Sequence, residues 1–234
     1  MEREVLLELL RNVRQENRRT LLEHEAADLC KVYGIPVVEA ALAKSVEEAV
    51  KHAERIGFPV VLKIVSRDIL HKSDVGGVIL DIASSEEVKR AYNDVIARVR
   101  ERRPTARIDG VLVAKRARQG KEFIIGMTRD KTFGPVVVFG LGGVFTELLR
   151  DISLRVAPIG RREAFEMMSE IKGAKVLHGY RGEGPVDKEA LADIIAAVGR
   201  MGYENPEIES VDLNPVAAYE SGALVMDAKI ILSS

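Results

Sequence analysis

Asp212-Leu-Asn-Pro215 sets a carboxylate and an amide two positions apart, while Val211 and Leu213 between and beside them are apolar. Side chains of an extended chain alternate between faces, so Asp212 and Asn214 should emerge together with the apolar pair turned to a core. The chain then returns through Met226-Asp227-Ala228. A tight loop at Glu220-Ser221 would set Asn214 opposite Asp227, with Cβ atoms roughly 5 Å apart. A loop that also takes in Gly222 slips the register by one residue and needs a bulge to keep the pair. Carboxylate and amide oxygens, completed by water and substrate phosphate, are the donors Mg²⁺ takes, which makes Asn214 and Asp227 candidate metal ligands. Asp212 and Asn214 also fit ordinary polar positions at a strand edge.

Three other places carry chemistry-bearing residues. Lys63 ends the apolar run Pro59-Val-Val-Leu-Lys63, where a cation is costly unless its ammonium meets an anion or reaches water. A phosphate would be a natural partner. His71 stands in the polar segment Ser66 to Gly77, beside Arg67 and Lys72 and ahead of Gly76 and Gly77. An imidazole can act as a covalent nucleophile, and neighbouring cations would screen an approaching phosphate, although surface loop histidines are common. Phe139-Gly-Leu-Gly-Gly-Val-Phe-Thr-Glu147 is glycine-rich after a strand, so its backbone N–H groups could cradle an anion at Gly142 and Gly143. It matches neither the Rossmann nor the Walker pattern. His24 and His52 fall on expected helix surfaces and His178 in a separate loop, and none is assigned a role.

Composition narrows the classes. With 35 Lys and Arg against 36 Asp and Glu, no broad field points to nucleic acid or an anionic membrane, so phosphate recognition must be local. The single cysteine, Cys30, excludes an internal disulfide and a cysteine zinc site, and a reduced cytoplasmic setting is expected. No apolar run approaches the ~18 residues of a membrane span, and no signal peptide is expected.

These groups need a scaffold. Helical spacing of Val5, Leu9, Val13, Leu22 and Leu29 predicts one or two helices ending at Gly34. A β-α-β-loop-β-α-β order follows: strands at 37–43, 59–65, 78–82 and 110–114, and helices from Ser45, with Glu48 completing its cap, to Gly57 and from 85 to 100. Beyond Glu122, strands are expected at 123–128 and 136–140, helices at 161–171 and 187–201, and two closing strands at 210–219 and 223–231. The basic run Lys115 to Lys121 is read as an exposed lobe boundary. The chain divides into an N-terminal helical segment (1–30), a first lobe with the His71 loop (31–114) and a second lobe with the metal site (115–234). Two such lobes would enclose a cleft, the usual place for a small ligand.

Taken in order, Tyr33-Gly-Ile-Pro36, Gly57-Phe-Pro-Val-Val-Leu-Lys63, Asp68-Ile-Leu-His-Lys-Ser-Asp-Val-Gly-Gly77, Phe133-Gly-Pro-Val-Val-Val-Phe-Gly-Leu-Gly-Gly143, Gly179-Tyr-Arg-Gly182 and Asp212-Leu-Asn-Pro215 resemble the β subunits of archaeal ADP-forming acetyl-CoA (acyl-CoA) synthetases. The histidine segment is the most specific. The resemblance implies an α/β (α+β) ATP-grasp fold and the reversible conversion of acyl-CoA, ADP and phosphate to acid, CoA and ATP. It implies phosphorylation of His71, Lys63 on the nucleotide phosphates, Asn214 and Asp227 on Mg²⁺, Asp212 interacting with the histidine, and Glu122 near the nucleotide. It also implies a separate α subunit carrying the CoA and acyl sites, in an α2β2 assembly. Rival readings are a succinyl-CoA synthetase-like subunit, a carboxylate-amine ligase, which has no use for a histidine carrier, and a non-catalytic regulatory module, which would be expected to have lost these residues. Acyl group, and ATP against GTP, stay open.

Overall fold

The computed structural model describes residues 2–69, 71–143, 151–179 and 182–233. The chain folds as two compact units, one of residues 1–21, 25–37 and 119–234, the other of 22–24 and 38–118.

The smaller unit is built on a four-stranded antiparallel sheet. Its strands are β1 (Ala40–Ala43), β2 (Val60–Val65), β3 (Val78–Ile82) and β4 (Gly110–Lys115), in the order β1-β4-β2-β3. Two helices precede them in the chain, α1 (Glu2–Gln15) of the larger unit and α2 (Glu23–Val32), which belongs to the larger unit except for Glu23 and His24 at its start, and the helices between the strands are α3 (Val46–Ile56) and α4 (Ser85–Arg102). Both α3 and α4 start where the sequence supplies a cap. Ser45 accepts from Glu48 N, and the Glu48 carboxylate reaches back to Lys44 N, while Ser84 and Glu87 do the same for α4. Val60, Leu62 and Ile64 of β2 pack with Val88, Val95 and Val99 of α4 in one buried cluster. Lys63, on the opposite face, is the only residue of β2 that is not fully buried.

In the larger unit α1 and α2 bury Leu10, Val13, Leu29 and Cys30 in its core. Its sheet runs β10-β8-β5-β6-β7, with β9 paired to β8. The strands are β5 (Lys121–Asp130), β6 (Gly134–Leu141), β7 (Ile152–Val156), β8 (Ile208–Ala218), β9 (Ala223–Val225) and β10 (Ala228–Leu232). Helices α5 (Arg161–Glu170) and α6 (Lys188–Glu204) bring Met167, Met168, Ile194, Ile195 and Val198 into one core with Phe123, Ile125, Phe139, Val211 and Leu213. Within it the Phe123 and Phe139 rings stack with centroids 5.5 Å apart.

Sequence and structure differ at four places. The strand expected over 37–43 is confined to Ala40–Ala43, and the single strand expected over 223–231 is broken at Met226-Asp227 into β9 and β10. β7 lies where no strand is expected, although Ile152, Leu154 and Val156 alternate with Ser153 and Arg155 in the period of a strand. Among the described strands it is the edge of the sheet, and it leaves those three apolar side chains exposed. The basic stretch Lys115 to Lys121 is largely half-buried rather than exposed. Lys115 Nζ donates to Gly57 O at 2.7 Å and Lys121 Nζ to Gly184 O at 2.7 Å, so two of its charges satisfy orphaned carbonyls instead of meeting solvent.

Asp151, buried just ahead of β7, accepts from Lys172 N at 2.6 Å and Gly173 N at 2.7 Å, closing the turn after α5. Asp151→Ala strands two backbone donors, and chemical denaturation should show a loss of about 2–3 kcal/mol in stability.

Candidate functional site

The β8–β9/β10 hairpin has the register the two-residue loop predicts. Val216 pairs with Val225, Leu213 with Ala228 and Asp212 with Lys229, which places Asn214 opposite Asp227. Tyr219 N donates to Gly222 O at 3.0 Å across Glu220-Ser221, and Asn214 N to Asp227 O at 3.1 Å. Both strands change phase at this point. In β8, Val211 and Leu213 are buried and then Val216, so Asn214-Pro215 is one residue too many opposite Ile124 of β5, a bulge of the kind that aims a side chain. In the returning strand Val225 and Ala228 are buried, with Met226-Asp227 between them half-exposed. The matched irregularities keep apolar neighbours in the core and leave Asp212, Asn214 and Asp227 away from it.

Electrostatics single out Asp212. The residue is exposed between buried Val211 and Leu213, yet desolvation by the protein around it raises its carboxyl above the ordinary aspartate value; Lys229 opposes this and Asp227 adds to it. Among the described residues no three His, Cys, Asp or Glu side chains converge on one metal position. A facing carboxylate and amide that leave most of the shell to phosphate and water fit Mg²⁺ better than a tighter-binding transition metal.

Glu122 and the two glycines also come together. Gly142 N donates to Glu122 O at 2.7 Å, and a Cβ on Gly142 would lie 2.7 Å from the Glu122 carbonyl carbon. Gly143 has φ +83° and would place a Cβ 3.9 Å from Glu122 Oε2. One expectation is thereby corrected: the Gly142 N–H extends the β5–β6 ladder and is not available to cradle an anion. The rest of that glycine-rich stretch, Val144 to Glu147, and Tyr180-Arg181 of the Gly179-Tyr-Arg-Gly182 motif lie outside the described residues.

In the smaller unit, His71 is exposed on a segment anchored on both sides. Before it, Arg67 pairs with Asp109 at 2.6 Å, Asp68 accepts from Arg107 N at 2.7 Å, and Ile69 is buried. After it, Ser73–Val75 forms a single 3₁₀ turn, Gly76 takes the left-handed conformation at φ 67°, and Gly77 N donates to Lys72 O at 2.8 Å. Lys63 is not a lone cation. Its ammonium lies 2.6 Å from Glu23 Oε1, and Lys72 pairs with the other oxygen of the same carboxylate. Burial alone would push the Glu23 carboxyl up; the charges of Lys63 and then Lys72 outweigh it and hold the carboxyl below its ordinary value. Sequence reading misses Glu23 because its partners stand 40 and 49 residues away.

A model of the ATP-grasp domain matches residues 12–232. The chain belongs to the ATP-grasp family. This ATP-grasp chain is 49% identical over 225 residues to the β subunit of acetate–CoA ligase [ADP-forming] I of Pyrococcus furiosus, covering 96% of its own length and 97% of the relative's. It is 44% identical to the acetate–CoA ligase [ADP-forming] I of Archaeoglobus fulgidus, where it covers 99% of itself but 34% of that longer protein. Two structures of the dinucleotide forming acetyl-coenzyme A synthetase 1 of Ca. Korarchaeum cryptofilum superpose along 100% of both chains. One holds coenzyme A, acetyl-coenzyme A and a phosphorylated phosphohistidine segment in a site I orientation (TM-score 0.92, 50% identity). The other holds coenzyme A and Mg-AMPPCP, with the phosphohistidine segment pointing towards the nucleotide binding site (TM-score 0.87, 48% identity). The ATP-grasp chain is by this kinship the β subunit of an ADP-forming acid–thiol ligase.

Because the Asp212 carboxyl is raised, its charge is unfavourable above its folded pKa, and the stability linked to it is complete below the unfolded value of about 3.9. Asp212→Asn should therefore raise the melting temperature by about 1–2 °C at neutral pH. The gain should vanish as the pH is lowered towards 3.5, as calorimetry across that range would show.

Proposed function

We propose that this chain carries phosphate on His71 between an α subunit and ADP held with Mg²⁺ at the Asn214–Asp227 hairpin. The observation that carries the reading is the exposure of one imidazole on a segment whose two flanks are pinned: the ring is presented, not packed. On the α subunit an acyl phosphate gives up its phosphoryl group to a first histidine as the carboxylate leaves. An imidazole nitrogen of His71 then attacks that phosphorus, and the new P–N bond forms as the bond to the first histidine breaks and its electron pair returns to that ring. A β-phosphate oxygen of ADP then attacks the same phosphorus, and the P–N electron pair returns to the ring as ATP forms.

The chain's own residues hold and orient the groups. Lys63 would meet nucleotide phosphate oxygens, while Glu122, with Gly142 and Gly143 against it, would bound the nucleotide. For Asp212 the family resemblance implies an interaction with the carrier histidine during transfer. Asn214 and Asp227 would hold Mg²⁺, which when bound neutralises charge on the phosphates. The α subunit would supply the CoA and acyl sites, in agreement with the longer relative in which the matching region is 34% of the chain, and an α2β2 assembly is the proposed stoichiometry. A regulatory module would be expected to have lost the histidine or the metal ligands, and all are present.

Labelled phosphate supplied to the chain assembled with its partner should be recovered on His71. His71→Ala should reduce nucleotide-linked turnover by at least about 10³-fold without altering the far-ultraviolet spectrum, and full activity in that variant defeats the relay. Asp227→Asn should weaken Mg-nucleotide binding by about tenfold or more in calorimetric titration; unchanged affinity would show that the ligand is misassigned.

A further inference from the structure

Glu23 is the one acidic residue of the smaller unit among the described residues that is fully buried, at 8% exposure, and it serves two lysines at once. Its Oε1 lies 2.6 Å from Lys63 Nζ on β2, and its Oε2 accepts from Lys72 Nζ, on the residue next to His71. The lysine side chains are themselves largely covered, at 14% and 18% exposure, so neither charge is a loosely solvated surface cation. Lys72 is tied in a second way, since its carbonyl accepts from Gly77 N at 2.8 Å. With Ile69 buried on the other side, Glu23 fixes the root from which His71 is presented.

We infer that Glu23 is a positioning residue for the phosphoryl carrier: one buried carboxylate anchors Lys72, and through it the His71 segment, to the same point that anchors Lys63. The inference rests on His71 being the carrier. Two largely covered cations share one anion here, and removing it takes a buried ion-pair partner from both. The pairing couples the group that delivers phosphate to the group proposed to receive the nucleotide's phosphates. Breaking the Lys72 arm should free the loop alone. Removing Glu23 should free both arms.

The test is amide hydrogen exchange of the full chain, without nucleotide or partner, on peptides spanning 71–77. Glu23→Gln and Lys72→Met should each accelerate exchange there by about tenfold, and the double variant should go no further than either single one. Lys72→Met leaves the Glu23–Lys63 pair in place, so the question stays open to measurement even if Glu23→Gln folds poorly. Unchanged exchange in Lys72→Met, or a double variant whose acceleration is the product of the two, overturns the tether. In the assembled enzyme, Lys72→Met should lower kcat with KM for ADP unchanged, whereas Glu23→Gln should also raise KM about tenfold. Equal KM values in the two variants overturn the shared anchoring. Wild-type protein that takes no label on His71 defeats the relay itself and leaves the exchange result standing, so the two failures are distinguishable.

Discussion

The chemistry-bearing face of the larger unit depends on one backbone constraint, the coincidence of two irregularities in paired strands. Asn214-Pro215 and Met226-Asp227 each put two residues, instead of one, between successive core-facing side chains. If only one strand carried the extra residue, every apolar side chain beyond it would be turned out of the core, which is why a register slip is so costly. Because both carry it at the same level, Val216 and Val225 return to the core together. The polar residues trapped at the irregularity are thus held by the packing of their neighbours. Removing apolar contacts on the far side of the sheet would disturb them as surely as changing the polar residues themselves.

Charge is handled locally throughout. The overall balance of acids and bases provides no field to draw in a nucleotide, and the structure sets its cations against particular acceptors: Lys115 and Lys121 on carbonyl oxygens, Arg67 on Asp109, Lys63 and Lys72 on Glu23. Phosphate arriving in such a protein would meet lysines that already have company. Binding then exchanges one set of charge-assisted hydrogen bonds for another rather than filling empty donors, which favours a ligand with more than one charge.

Much of this is readable from the residues alone, for identifiable reasons. Helix caps are local, so Ser45 with Glu48 marks the start of α3 correctly. The hairpin register follows from counting outward from a two-residue turn, and the structure has that count. What escapes is long-range or hidden by a neighbour. Nothing near Glu23 in sequence announces that its carboxylate belongs to β2 and the histidine segment. The alternation in β7 is plain but follows a glycine-rich stretch whose own pattern masks it. Glycine suggests an open backbone, which makes the Gly142 N–H look like an anion donor, whereas a strand partner claims it. Segment composition shows what a backbone is free to do; its actual partner is decided by tertiary pairing.

β7 has a consequence for handling the protein. Among the described residues no strand pairs with its outer edge, and Ile152, Leu154 and Val156 stand 44%, 50% and 49% exposed along one side of it. Unsatisfied strand edges flanked by aliphatic rows are templates for adding another strand. At high concentration the isolated polypeptide is consequently at risk of sticking edge to edge, and a charged replacement at Leu154, the middle of the row, is the smallest change that would keep it dispersed.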